Sequence, residues 1–128
     1  MDSNTEAPEF LSREDRIAVY IPATEASLDA AVEMISRTIE YCRKNEIEGL
    51  LVDARELHGF PHPTVVDRYW FVRKWAEASA GKVVLSLIQR PEMTDPEQIG
   101  VTIANNAGLT ANVFDNESDA RAWLLENI

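Results

Sequence analysis

The chain is predicted to be an α/β protein built on a four-stranded, mostly parallel sheet. Three observations predict it. Short apolar, β-branched segments at Ile17 to Ile21, Gly49 to Asp53, Lys82 to Gln89 and Ala111 to Phe114 alternate with amphipathic ones. The alternation is unbroken, in the order βαβαβαβα, which implies crossover connections and hence parallel strands. Capping and helix-ending residues fall between the segments where such a scheme needs them.

Taken in order, Met1 to Asp15 is polar and carries Pro8, so residues 1–15 read as a loosely held arm with Phe10 and Leu11 as anchors; the ordered domain spans 16–128. Ile17 to Ile21 is the first strand, closed by Pro22. In the first helix Leu28, Ala31, Val32, Ile35, Ile39 and Cys42 recur at three- and four-residue steps, with Ser27 as N-cap and Asn45 as stop. Glu33 with Arg37 and Glu40 with Lys44 add pairs four apart, acid first. Gly49 to Asp53 is the second strand, and Val65 to Ala80 a second helix ended by Gly81. On that helix Val65, Tyr69, Val72 and Ala76 form the expected packing stripe, flanked by Val66 and Trp70 on one side and Phe71 and Trp75 on the other. Lys82 to Gln89 is apolar on both faces, so its neighbours must cover both. The third helix is expected to start with Asp95 as N-cap, Pro96 in the first position and Gln98 completing a capping box, and to end at Gly108. Ala111 to Phe114 and a last helix, capped by Asp115 or Asn116 and carrying Ala120, Trp123 and Leu124, complete the chain.

With 128 residues, 45% of them hydrophobic and 27% charged, the composition is that of one ordinary domain able to bury a core without metals or disulfides. A single cysteine and a polar, acidic start with no apolar leader point to a reducing cytoplasm, and no apolar run is long enough to span a bilayer. The net charge of −10 disfavours nucleic acid. Nucleophile-elbow, phosphate-loop and dinucleotide fingerprints are absent, so no catalytic residue and no cofactor is assigned. Cys42 falls on the apolar stripe and reads as a small core residue.

The most unusual segment is the loop from Asp53 to Thr64, which holds Arg55, Phe60 and both histidines, His58 and His62. The histidines are four apart, but Gly59, Pro61 and Pro63 forbid a regular helix there, and a zinc site would still lack held third and fourth ligands. No metal is therefore expected. An acid/base role would require one ring within hydrogen-bond reach of a carboxylate.

Around this loop the chain resembles the SpoIIAA-like, or STAS, domains, the anti-sigma-factor antagonist family, and in particular its stand-alone bacterial members. The resemblance rests on Leu51-Val52-Asp53, Gly59-Phe60-Pro61, Asp67-Arg68-Tyr69, Asn106-Ala107-Gly108, Val113-Phe114-Asp115 and Ala122-Trp123-Leu124, and covers Arg16 to Asn127. It implies a β-α superhelix and a regulatory or binding role without catalysis. Family members accept a phosphate on a serine at the start of the helix after this loop. Here the corresponding stretch is Pro61-His62-Pro63-Thr64, so that switch is not carried over, and Thr64 reads as an N-cap or as a displaced acceptor.

The expected recognition surface is Asp53, Arg55, His58, Phe60, His62 and Thr64 with Arg68, Tyr69 and Trp70 of the second helix, used for a protein partner or for homodimerisation. A singly wound sheet would leave one apolar face to be covered by the arm or by a second subunit. The competing reading is a carrier of a small apolar ligand, with Tyr69, Trp70 and His62 lining a pocket near the loop. The weakest is an enzyme using the loop histidines.

Overall fold

A computed structural model describes residues 7–93 and 97–128. Five strands, β1 (Leu11–Glu14), β2 (Ile17–Tyr20), β3 (Gly49–Asp53), β4 (Val84–Ile88) and β5 (Ala111–Phe114), form one mixed sheet in sequential order. Strands β2 to β5 are parallel, with Ile17 opposite Gly49, Gly49 opposite Val84 and Leu85 opposite Ala111. Four helices, α1 (Leu28–Lys44), α2 (Val65–Ser79), α3 (Ile99–Asn106) and α4 (Glu117–Asn127), complete the α/β architecture.

The expected four-stranded sheet thus gains a fifth strand, in the segment read as an arm. Residues 11–14 pair antiparallel with β2 through a two-residue turn at Asp15 and Arg16, with Leu11 opposite Tyr20 and Glu14 opposite Ile17. Asp15 takes the left-handed conformation that so tight a turn demands. Leu11 packs against the core beside α1, which is the anchor expected of it, while Phe10 stays exposed.

Alternation along the strands divides the core in two. Ala18, Tyr20, Leu50, Val52 and Leu85 face α1, α2 and α3, where they meet Val32, Ile35, Ile39, Phe71, Trp75 and Ala104. Ile17, Val19, Leu51 and Ile88 face the other way, onto Ala120 and Leu124 of α4. Neither the arm nor a second subunit is needed to cover that face, contrary to expectation, because α4 folds back across it. A buried hydroxyl pins the contact, Ser86 Oγ donating to the Ala120 carbonyl at 2.9 Å. Gly49 permits the close approach: a Cβ there would meet Ile128 and Leu124 side-chain atoms at 2.9 Å.

The local signals at α1 and α4 hold as read. Ser27 caps α1 by accepting from the Ala30 N–H, and Asn116 caps α4 by accepting from that of Asp119. Helix α3 differs: it begins at Ile99, after Gln98 in the left-handed region with no side-chain cap, so Gln98 is not part of a capping box. The expected cap Asp95 and Pro96 lie outside the described residues.

The largest correction concerns α2, whose buried face is Arg68, Phe71, Val72, Trp75, Ala78 and Ser79. Val65 and Tyr69, assigned to the packing stripe, are exposed. The helix is rotated so that its bulkier flank enters the core. Trp75 donates its indole N–H to the Val32 carbonyl of α1 at 3.1 Å, and the Phe71 and Trp75 rings lie 4.7 Å apart. Seating two aromatics buries more apolar area than seating Val65 and Tyr69, which decides the rotation.

Leu124→Ala should lower the unfolding free energy by about 2–5 kcal/mol, the cost of a fully buried leucine. Urea denaturation checks it; a loss below about 1 kcal/mol, the level of an ordinary surface change, would contradict the burial of α4.

Candidate functional site

The loop after β3 is held from below. Leu57, fully buried, anchors it, and the His58 backbone pairs with the segment after β2, accepting from Ala26 N at 2.8 Å and donating to the Thr24 carbonyl. Gly59 adopts φ +104°, and a Cβ there would lie 2.7 Å from the Glu25 side chain, so glycine is required at this crossing.

At the C-terminal end of β3 the Asp53 carboxylate accepts three bonds from Arg55, from the backbone N–H at 3.2 Å, Nε at 2.9 Å and Nη2 at 2.8 Å. This fork holds the carboxyl below its ordinary range against the opposing effect of burial. It is a local clamp on the strand end, with the guanidinium doubly committed.

Neither histidine reaches a carboxylate among the described residues. His58 is exposed, with Nδ1 against the Glu56 carbonyl. His62 places Nε2 at the Glu92 carbonyl and Nδ1 at that of Pro63. Carbonyls only accept, so the closer contact puts a ring proton on Nε2, and His62 ties the loop to the turn Pro91–Met93. No group of three or more metal-ligating side chains converges among the described residues.

Thr64 is the N-cap of α2. Its hydroxyl accepts from Asp67 N at 3.1 Å while Asp67 Oδ2 accepts from Thr64 N at 2.9 Å, a reciprocal capping box. Four residues on, Arg68 departs from the surface role expected of it. The side chain is buried, and Nη2 donates to the Met93 carbonyl at 3.1 Å. Tyr69 and Trp70 point outward, with the Arg73 guanidinium 5.6 Å from the centre of the Tyr69 ring.

Of the expected surface, then, Tyr69 and Trp70 lie together on α2, Asp53 and Arg55 pair with each other, and His62 with Arg68 braces the Pro91–Met93 turn. Phe60 is half-buried and walls a cavity of about 60 Å³ with Ala54, Leu57, Pro63, Phe71 and Trp75. Tyr69, Trp70 and His62, expected to line a pocket near the loop, are not part of this cavity's wall; Phe71 and Trp75 are. A second cavity, of about 50 Å³, lies on the far side of the same two rings, between α2, α3, β4 and β5. Its polar side chains are Arg68, expected at the recognition surface but found buried, and Gln89, which sequence reasoning did not single out. The three- and four-residue spacing of Arg68, Phe71, Val72 and Trp75 carried the signal for Arg68.

Cys42 is wholly buried on α1, and burial pushes its thiol up to about 12, so it is inert as a nucleophile at neutral pH. Among the described residues no helix is long and apolar enough to cross a membrane. No model of a known family, no curated protein and no solved structure matches the chain.

Because Asp53 titrates below the unfolded carboxylate value of about 3.9, its contribution to stability is complete above that value and is lost as pH falls through the folded one. Asp53→Asn should therefore cost about 1 kcal/mol near neutrality, the scale of a partly solvated pair, and the gap to wild type should close in acid. Urea unfolding at stepped pH measures this; a gap that widens on acidification would contradict the assignment.

Proposed function

We propose that the chain is a non-catalytic binding domain that works as a homodimer, with the first half of α2 and the adjoining Asp53–Thr64 loop as its recognition surface. The observation that carries this reading is the apolar face α2 leaves in solvent. Val66 is 78% exposed, Val65 55%, Tyr69 54% and Trp70 43%. Single exposed apolar residues are ordinary, but four within six positions on a rigid, capped helix form a patch of the kind interfaces use. Tryptophan and tyrosine are the side chains that most often dominate such contacts.

A second copy of this chain is the occupant the patch fits. A two-fold axis reuses one patch on both subunits, so no separate complementary surface is needed. The net charge of −10 opposes the approach of two copies at a distance. Salt confines that repulsion to about 8 Å, and on the patch itself Arg73 lies over the Tyr69 ring.

Kinship with the SpoIIAA-like domains is part of the same proposal. It is supported by the sequential order of β2 to β5, with α1, α2 and α3 packed on one face, as a β-α superhelix requires. In that family the start of this helix is the regulated surface; here Thr64 serves as the cap, so control would come through association rather than a phosphoserine. A cytoplasmic location belongs to the proposal too, resting on the lone buried thiol.

Sedimentation equilibrium tests the association. Wild type should show a concentration-dependent dimer, and Trp70→Glu should weaken it at least about tenfold, the effect expected of an interface anchor, with the far-ultraviolet circular dichroism unchanged. A wild-type chain that stays monomeric throughout, or a Trp70→Glu variant that dimerises as wild type does, would overturn the proposal.

A further inference from the structure

Arg68 is the least expected side chain in the core. It is 7% exposed on a chain whose acidic residues outnumber its basic ones by 22 to 12. Burying a guanidinium is costly unless an anion or several acceptors meet it. Its hydrogen bond goes to one neutral acceptor, the Met93 carbonyl, which also accepts from Gln89 Nε2 at 3.2 Å. Among the described residues no carboxylate pairs with it. A guanidinium has five N–H donors, so most remain uncommitted. No fully buried side-chain nitrogen lacks a partner among the described residues, so those donors face accessible space.

Such space adjoins the side chain. Arg68 lines the cavity of about 50 Å³ between α2, α3, β4 and β5. The remaining wall is mainly apolar, with Val72, Leu85, Val101, Ala104 and Leu109 prominent. Gln89 supplies a second polar group, its Nε2 donating to the Met93 carbonyl at 3.2 Å. The cavity sits beside the parallel strands β4 and β5, reaching toward the end of the sheet where ligands of such folds bind.

We propose that this cavity binds a short-chain monocarboxylate, the carboxylate on the Arg68 guanidinium and the alkyl body against the apolar wall. A planar carboxylate matches the guanidinium fork and supplies a counter-charge that no described residue provides. The cavity is small, so the chain it admits is only a few carbons long. This ligand is independent of the association described above, since Tyr69 and Trp70 are not part of the cavity wall.

The test is titration of the full chain, followed by backbone amide chemical shifts, with sodium butyrate, neutral butyramide and inorganic phosphate as probes. Butyrate should give saturable shifts centred on Gly100, Ala104, Leu109 and Val113, and the other two probes should not. Arg68→Met should weaken butyrate roughly tenfold or more, the scale of a charge-assisted hydrogen bond. If that variant fails to fold, Gly100→Ala decides. A Cβ at Gly100 has Val72 Cγ2 as its nearest neighbour, at 4.0 Å, so the methyl fits sterically while taking cavity space and favouring the helix. Gly100→Ala should bind butyrate more weakly yet melt no lower than wild type. Absence of saturable butyrate shifts, equal binding of butyramide or phosphate, or undiminished binding by Arg68→Met or Gly100→Ala would overturn the proposal.

Discussion

The Trp75 indole reaches across the helical layer to the Val32 carbonyl, a bond made inside the core where neither group can turn to water. An unmet indole N–H there would cost about 1–3 kcal/mol, so the contact fixes how α2 is rotated about its own axis. Residues three and seven positions earlier follow by helical periodicity: Val72 is buried, and Arg68 is carried inside with it. The opposite side of the same turns, with Val66, Tyr69 and Trp70, is left in solvent. The apolar patch, the buried guanidinium and the two cavities flanking Phe71 and Trp75 are consequences of one rotational setting.

That setting rests on a sheet with no free face. All of β3 is buried, and its side chains alternate between the helical layer and α4. Sequential strands place successive crossover helices on one side, leaving the other to whatever follows the last strand. Here α4 follows, drawn in by Leu124 and fastened by Ser86. Strand β1 extends the sheet on the far side of β2, and its exposed residues Ser12, Arg13 and Glu14 give that outer edge a polar character.

The periodic parts of this architecture were readable in the chain. Continuous apolar runs marked β2 to β5, and Ser27, Thr64 and Asn116 marked helix starts because a short side-chain oxygen meets an orphan N–H there. Strand β1 was hidden because Leu11-Ser12-Arg13-Glu14 shows a single half-buried residue and its turn relies on Asp15 adopting a left-handed conformation. The rotation of α2 was misread for another reason: apolar residues occur all around its first turns, so periodicity supports more than one stripe. Only partners remote in sequence, such as Val32 and Met93, break the tie. The loop after β3 was found as a candidate from its composition, yet the roles of its residues were not. Asp53 and Arg55 satisfy each other, and His62 braces a turn thirty residues away.

Hydrogen exchange at the Trp75 indole tests the rotational setting most directly, because that proton reports the bond to Val32 and nothing on the surface. The structure predicts that it exchanges as slowly as the amides of β3, through global unfolding. Exchange at the rate of a solvent-exposed indole would contradict the setting, and with it the patch and the burial of Arg68.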